Sequence, residues 1–282
     1  MPTSRPPTVE QGVKGTDHLN GLSKQFICVA CGWSQPKAMP KCPACNNASP
    51  LEEAGLRSLG SVSRAAATRV STGLPGMDRV LGGGAVAGSV IMLGGMPGLG
   101  KSTLLTQMAI NVADEGKRVA YISAEESLSQ MALRADRLAD ELPETLLVDD
   151  NSDLKFILKD FDRTKPELVI VDSIQAIHHP QIKANMGGPT MVRACLDRVL
   201  AFAKRSRVPV FIVGHVTKSG SMAGPRTLEH MVDVVMYMEP VRRFPAQRRL
   251  YASKNRFGAT TEEALYAMLR TGLYERPMDD DQ

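Results

Sequence analysis

The sequence lacks the features of a membrane-spanning or exported protein. Its 282 residues contain no run of about 18 apolar residues, the length that a transmembrane helix needs. Residues 1–7 carry no apolar core of the kind found in a signal peptide. The chain also lacks a strong excess of charge of one sign. Its net charge is +4, which many ordinary enzymes share. These absences predict a cytoplasmic protein with no membrane partner, and the charge is compatible with nucleic acid without demanding it.

Cysteine is scarce as well, and four of the five cysteines form two C-x-x-C pairs. Cys28 pairs with Cys31 and Cys42 with Cys45, with ten residues between the pairs. Each C-x-x-C turn aims two thiolates at one point, and four thiolates suit a tetrahedral structural Zn²⁺. So small a segment cannot bury a useful core alone, and zinc would supply its folding free energy. A redox role for the two pairs is the competing interpretation.

The most informative motif is a phosphate-binding loop, or P-loop. Residues 95–102 read G-x-x-x-x-G-K-S, between an apolar run at 90–93 and a helical pattern at 103–113. Glycines let backbone N–H groups surround phosphate oxygens, and the helix N-terminus adds its positive dipole end. We expect Lys101 to reach the β- and γ-phosphates of ATP and Ser102 to bind Mg²⁺. The predicted ATP-binding residues are Gly95, Met96, Pro97, Gly98, Leu99, Gly100, Lys101, Ser102 and Thr103.

Strand and helix patterns alternate after this loop. The almost purely apolar run 168–171 ends at Asp172, and such runs are typical of a parallel sheet buried on both faces. Asp172 therefore has the position of a Walker B acid that organises Mg²⁺, although a strand-end acid can also cap a helix. Three later strand patterns, at 232–239, 249–253 and 264–270, predict antiparallel additions. The fold class is α/β, with a central mostly parallel sheet and ligands at the carboxyl ends of its strands.

Polar residues also end two other predicted strands. Glu125 and Glu126 follow the strand after the P-loop helix, where a carboxylate can orient and activate the attacking water. We assign the base to Glu125, although either glutamate could instead cap the next helix. His215 ends the strand that follows Asp172, where a polar side chain can sense the γ-phosphate. A structural histidine is the alternative at that position.

Taken together, these motifs resemble those of the bacterial RadA/Sms family, a branch of the RecA/DnaB-like ATPases. The resemblance rests on the four-cysteine segment, the P-loop, L-G-G-G at 81–84, Y-I-S-A-E-E-S at 121–127, G-H-V-T-K at 214–218, A-G-P-R-T-L-E-H-M-V-D at 223–233 and K-N-R-F-G at 254–258. It implies a RecA-like P-loop ATPase core preceded by a zinc ribbon. It also implies a ring-forming, DNA-stimulated ATPase that drives branch migration or unwinding in recombinational DNA repair.

The resemblance further implies roles for basic residues and partners. Lys254 and Arg256 would be finger residues that contact the nucleotide of a neighbouring subunit and couple hydrolysis to DNA. Lys183, in the polar, Gly-rich loop 178–189, is a candidate DNA contact, together with Lys218 and the two finger residues. The expected partners are single-stranded or branched DNA, further copies of the chain in a hexameric ring, and a recombinase or replication protein.

The expected organisation has five parts. These are a disordered arm at 1–24, a zinc ribbon at 25–48, a linker at 49–66, the RecA-like ATPase domain at 67–274 and an acidic tail at 275–282. Full-length family members continue into a Lon-protease-like domain, so we interpret the chain as a shortened form. Two other functions remain open. One is a KaiC-like, nucleotide-switched regulatory or assembly ATPase whose ribbon binds a protein, and the other is a RecA-like strand-exchange filament.

Overall fold

The computed structural model describes residues 25–28, 34–43, 51–53, 55, 68–215 and 227–277. They belong to two units, Met1–Leu59 and Gly60–Gln282. The predicted arm, Cys31, Cys45, Lys218 and most of the predicted linker lie outside the described residues, so the predictions for them stay predictions. Among the helices described, none combines the length and the apolar character that crossing a membrane requires.

The described part of the first unit is a small antiparallel sheet. Its strands are β1 (Phe26–Ile27), β2 (Ser34–Gln35) and β3 (Glu52–Glu53), in the order β2-β1-β3. Cys28, Cys42 and Leu51 form one buried cluster beside this sheet. Leu51 explains why β3 forms inside the segment predicted as a linker, because burying this side chain brings the neighbouring glutamates alongside β1. Three strands of two residues each bury little apolar surface, as expected of a unit that needs a further stabilising element.

The second unit begins with a short antiparallel pair that leads into the P-loop strand. Arg69–Val70 forms β4 and Ala85–Val86 forms β5, with the helix α1 (Pro75–Leu81) between them. Asp78 of α1 accepts hydrogen bonds from the Thr72 backbone N–H and hydroxyl at 2.9 and 2.8 Å. This carboxylate therefore holds the turn that precedes its own helix.

A nine-stranded sheet forms the centre of the second unit. In chain order its strands are β6 (Val90–Gly95), β7 (Val119–Ser123), β8 (Leu146–Asp149), β9 (Leu168–Asp172), β10 (Val210–His215), β11 (Val234–Val241), β12 (Phe244–Asn255), β13 (Glu263–Leu269) and β14 (Gly272–Arg276). Their spatial order is β14-β13-β12-β11-β6-β10-β9-β7-β8. The pairings from β11 to β8 are parallel, and those among β11, β12, β13 and β14 are antiparallel. The predicted α/β class and its mostly parallel sheet are confirmed.

Helices cover both faces of this sheet. They are α2 (Lys101–Asp114), α3 (Leu128–Ala135), α4 (Leu154–Thr164), α5 (Pro189–Ser206) and α6 (Thr227–Met231). Residues of α1, α2 and α3 pack in one core cluster, and residues of α4, α5 and α6 pack in another. Neighbouring residues of β6 alternate between the clusters, with Ile91 and Leu93 in the first and Val90 and Met92 in the second. This alternation explains the continuous apolar run, since both faces of a central strand are buried.

The strand β14 departs from the sequence-based expectation. It continues to Arg276 and so enters the segment predicted as an acidic tail. Glu275 accepts a hydrogen bond from the Gly76 N–H at 2.7 Å and pairs with Arg79 at 2.8 Å. These contacts tie the last strand to α1, which the acidic composition of the segment did not indicate.

Candidate nucleotide-binding site

The P-loop joins the carboxyl end of β6 to the first turn of α2. Gly95 has a φ of +151°, and a Cβ there would lie 2.6 Å from the Met238 carbonyl oxygen, so this position excludes a side chain. Gly98 has a φ of +79°, in the left-handed region that favours glycine. The helix α2 begins after Gly100 with no side-chain cap. Its first N–H groups therefore suit an anion, as the P-loop motif predicts.

Lys101 lies folded over the loop. Its Nζ donates hydrogen bonds to the carbonyl oxygens of Gly95 and Met96 at 2.8 and 2.9 Å. Burial lowers the pKa of this ammonium, while the negative charges of Asp172 and Glu125 raise it in opposition. A phosphate oxygen is a stronger, charged acceptor than a carbonyl. The ammonium is thus placed where a bound β- or γ-phosphate would take over these bonds.

Asp172 ends β9 beside the first turn of α2. Its carboxylate is almost fully buried and accepts a hydrogen bond from the Tyr121 hydroxyl at 2.9 Å. Burial raises the pKa of Asp172, and the hydroxyls of Ser102 and Tyr121 oppose the rise. The carboxylate and the Ser102 hydroxyl are hard oxygen ligands that lie near each other. This donor set fits Mg²⁺, which the P-loop implies.

Glu125 and Glu126 lie in the same cleft as the P-loop but have different partners. The cleft has a volume of about 430 Å³ and is lined by P-loop residues, by both glutamates and by Arg134 of α3. The Ser173 hydroxyl donates a hydrogen bond to Glu125, whereas Glu126 forms an ion pair with Arg134. The structure therefore brings Glu125 together with Lys101, as the assignment of Glu125 as the base requires, and the assignment itself stays a prediction.

His215 lies at the same edge of the sheet through its backbone. The parallel register of β10 and β6 pairs His215 with Gly95, the first glycine of the P-loop. The side chain of His215 lies outside the described part of the chain. Its predicted role as a sensor of the γ-phosphate stays a prediction.

Lys254 and Arg256 lie away from the P-loop of their own chain. Arg256 pairs with Asp233 at 2.9 Å, and the other carboxylate oxygen of Asp233 accepts a hydrogen bond from the N–H of Val90, the first residue of β6. Gly95 is the last residue of that strand, about 17 Å further along at the usual rise per residue. The structure therefore places both basic residues at the opposite edge of the sheet from the phosphate loop.

The two basic residues of the K-N-R-F-G segment differ in how firmly their side chains are bound within the chain. Lys254 Nζ donates to the carbonyl oxygens of Glu229, His230 and Val232, at 2.9, 3.2 and 2.7 Å. Arg256 is 52% exposed despite its ion pair. Lys254 is thus bound to the end of α6, while much of the Arg256 guanidinium faces solvent.

Of the remaining DNA candidates, Lys183 can be placed. It is exposed in the loop that follows the carboxyl end of β9 and precedes α5. The loop is anchored at His178, whose backbone N–H and C=O bond to Ser152 and Leu154 at 2.9 Å each. Lys183 therefore projects from the edge of the sheet that carries the P-loop.

Sequence reasoning missed three residues that support the cleft. Tyr121 places a phenolic hydroxyl in the middle of the buried strand β7, and this polar atom was the available signal. Arg134 reaches the cleft from α3, and Arg248 donates from its Nε to the Leu99 carbonyl at 3.1 Å. Arg248 lies on β12, far from the P-loop in sequence, so no local pattern could have indicated that contact.

The fold and the cleft together define a P-loop ATPase domain. The chain belongs to the AAA domain family, whose model matches residues 63–221, more than half of the chain. The resemblance to RadA predicted from the motifs is confirmed by curated relatives named DNA repair protein RadA. Those of Listeria monocytogenes, Bacillus subtilis and Aquifex aeolicus are each 41% identical over 89% of this chain. The chain spans 58% to 59% of the length of these relatives.

Solved structures show the same fold at low sequence identity. A KaiC-like protein from Pyrococcus horikoshii OT3 has a TM-score of 0.62 at 18% identity, covering 75% of this chain and 100% of its own. The RadB recombinase has a TM-score of 0.57 at 23% identity, covering 72% and 98%. These likenesses show that the fold is RecA-like.

The predicted zinc site is only partly within the described residues. Cys28 and Cys42, one from each C-x-x-C pair, are buried in one cluster. No group of three or more potential metal ligands occurs within the described ranges. Since Cys31 and Cys45 lie outside those ranges, two of the four predicted ligands can be placed. Their burial in a shared cluster fits a four-thiolate site, and the zinc itself stays a proposal.

Proposed function

We propose that the chain is a DNA-stimulated ATPase of recombinational repair. The observation that carries the proposal is the convergence of Lys101, Ser102 and Glu125 on one cleft at the carboxyl edge of the sheet, with the buried Asp172 near enough to Lys101 and Glu125 to interact with their charges. The names of the RadA relatives supply the repair context. Because the chain spans only part of the length of these relatives, this activity is a proposal for the chain.

The cleft supplies the parts that phosphoryl transfer to water needs. The uncapped start of α2 and Lys101 bind the phosphates, and Ser102 and Asp172 would hold Mg²⁺. When bound, the metal neutralises charge that develops on the β- and γ-phosphate oxygens. Glu125, held by the Ser173 hydroxyl, orients the attacking water and accepts its proton. His215, beside Gly95, responds to the γ-phosphate.

A second copy of the chain would complete the site. Lys254 and Arg256 lie too far from their own P-loop to contact its nucleotide, so we propose that they serve the neighbouring subunit in a homo-oligomeric ring, a hexamer. A finger arginine supplied in this way accelerates phosphoryl transfer by roughly 10³–10⁵-fold. The half-exposed Arg256 is the better finger, whereas Lys254 contributes by fixing α6.

DNA is the proposed partner at the carboxyl edge of the sheet. Lys183 and Lys218, in the segments that follow β9 and β10, would contact single-stranded or branched DNA inside the ring. ATP hydrolysis would then drive branch migration or unwinding in the cytoplasm, together with a recombinase or replication protein. Lysine contacts to phosphates release counterions, so this binding should weaken steeply as salt rises.

The proposed structural zinc belongs to the first unit. Cys28, Cys31, Cys42 and Cys45 would ligate it, and the burial of Cys28 with Cys42 supports a shared site. Zinc would stabilise a unit whose strands are only two residues long.

Binding and assembly measurements test this function. Fluorescence anisotropy with a labelled single-stranded oligonucleotide should show binding that weakens with salt, and a mass measurement with ATP and Mg²⁺ should give a hexamer. Binding to a protein partner without DNA affinity would instead support the KaiC-like regulatory ATPase. An open distribution of lengths would support a strand-exchange filament.

A further inference from the structure

Arg134 is a buried cation at the back of the nucleotide cleft. Its side chain is 8% exposed and projects from α3, the helix that follows Glu125 and Glu126. One end of the guanidinium, Nη1, donates to the Glu126 carboxylate. Its Nε donates to the Thr106 hydroxyl at 3.1 Å. A guanidinium buried in this way needs a compensating charge, and Glu126 supplies it.

Thr106 connects this arginine to Ser102, one of the predicted magnesium ligands. The threonine lies in α2 and donates to the Ser102 carbonyl at 2.7 Å, so it is fixed to the turn that carries the Ser102 hydroxyl. A chain of hydrogen bonds therefore runs from Glu126 through Arg134 and Thr106 to the backbone of Ser102. Asp172 is held separately, by the Tyr121 hydroxyl at 2.9 Å.

The same contacts give the adjacent glutamates different environments. Glu126 is neutralised by Arg134, whereas Glu125 receives a neutral hydroxyl from Ser173. Because the Glu126 carboxylate is held by its ion pair with the buried guanidinium, it cannot turn to orient a water without giving up that pair. The partner that α3 supplies thus separates the roles of two residues that are identical in type and adjacent in sequence.

We propose that Arg134 is a positioning residue that commits Glu126 to an ion pair and, through Thr106, fixes the turn of α2 that carries Ser102 for hydrolysis by Glu125. The inference rests on the proposed ATPase activity and deepens it. Arg134 bonds to Glu126 and Thr106, and its role in this proposal is to hold them. Its third nitrogen, Nη2, is buried and makes no hydrogen bond among the described residues, so Glu126 and Thr106 are the partners that hold the guanidinium in place.

A double-mutant cycle on Arg134 and Glu126 tests the proposal. Arg134→Gln should lower kcat by about 10-fold or more, because it strands the Glu126 charge. Glu126→Gln should lower kcat much less than Glu125→Gln, which should cost about 100-fold or more. Adding Glu126→Gln to Arg134→Gln should recover kcat by about 5-fold or more, because contacting residues couple. The affinity for a fluorescent ATP analogue, measured separately, should stay within about 3-fold of the parent's, since the lost contacts position rather than bind.

Matched variants separate positioning from general destabilisation. The exposed pair Arg205 and Asp162, 3.1 Å apart, gives a control cycle of the same charge type, in which kcat should show no coupling. Arg134→Lys keeps the charge and should retain more activity than Arg134→Gln. Should Arg134→Gln fail to fold, Glu126→Gln in the parent chain still decides the roles of the glutamates.

Two results would overturn the inference. One is a Glu126→Gln variant as slow as Glu125→Gln, and the other is an additive cycle between Arg134 and Glu126. A parent chain that binds the ATP analogue but does not hydrolyse ATP would instead refute the proposed function. The failure of the inference and that of the function are therefore distinguishable.

Discussion

Single residues of the cleft are held by bonds to the protein's own backbone and side chains. Lys101 donates to two P-loop carbonyls, and Asp172 accepts from the Tyr121 hydroxyl. These bonds keep charged groups in place within a buried site, where repositioning would be costly. The polar groups are therefore organised by the chain itself.

Replacing Lys101 by alanine should abolish most hydrolysis. The change removes the positive charge that offsets the phosphates, and we expect phosphate release to slow by about 100-fold or more. Lys117→Ala is a suitable control, since Lys117 pairs with Glu115 on the surface just after α2. Phosphate release at the parental rate in Lys101→Ala would refute the P-loop assignment.

The two loop glycines should respond differently to alanine. Gly95→Ala places a methyl group 2.6 Å from the Met238 carbonyl, and we expect the free energy of unfolding to fall by about 3 kcal/mol or more. No atom lies within 4 Å of the same position at Gly98, so only the positive φ opposes Gly98→Ala, at about 1 kcal/mol. Urea denaturation measures both changes, and equal losses would contradict this account of Gly95.

Whether a residue of the cleft could be predicted depended on how close in sequence its contacts lie. The P-loop, Asp172 and Glu125 follow strands in recognisable local patterns, so their common edge could be predicted. Arg134 and Arg248 reach the cleft through the packing of α3 and β12, and such contacts depend on tertiary geometry that no local periodicity encodes. Polar support of this kind could only be read from the folded structure.

At the scale of elements, the K-N-R-F-G segment joins three parts of the second unit. Lys254 binds the end of α6, and Arg69 donates to the Phe257 carbonyl at 2.9 Å. The Asn255 side chain donates to the Leu81 carbonyl at the end of α1, at 3.3 Å. The segment therefore has an internal structural role beside any role at a subunit interface.

Substitution of Lys254 should mainly lower the stability of the chain, whereas substitution of Arg256 should mainly slow ATP hydrolysis. Lys254→Met removes three hydrogen bonds from a charged donor, and we expect a loss of about 2 to 4 kcal/mol in the free energy of unfolding. Arg256→Gln removes the half-exposed partner of the buried Asp233 carboxylate, which keeps its bond from the Val90 N–H, and should cost about 1 to 2 kcal/mol. Arg256→Gln should nevertheless bind ATP and hydrolyse it slowly. The reverse ranking in denaturation, or normal turnover in Arg256→Gln, would contradict these roles.

The order of helices and strands could be predicted in part from the sequence. Alternating apolar runs and helical patterns predicted the parallel sheet because buried central strands need no polar face. The strands β3 and β14 were missed since each is dominated by charged or polar residues. They form because Leu51 is buried in one unit and Glu275 bonds to α1 in the other.

At the scale of the whole molecule, we expect the stability of the first unit to depend on the proposed zinc. Replacing Cys42 by serine should lower the zinc content from about one per chain towards zero, because a four-thiolate site loses a ligand. Cys195→Ser is the control, since Cys195 is buried in α5 of the second unit. Elemental analysis of both variants measures the effect. An unchanged zinc content in Cys42→Ser would remove the ribbon from the account.

The second unit carries the central claim, which is that this cleft hydrolyses ATP under the control of DNA. The most direct measurement is the steady-state rate of ATP hydrolysis by the purified chain, with and without saturating single-stranded DNA at low salt. We predict a rate that rises several-fold with DNA, about 3-fold or more, and that loses the increase as salt displaces the DNA. A rate that DNA leaves unchanged, at salt concentrations where the chain binds ATP, would contradict the claim.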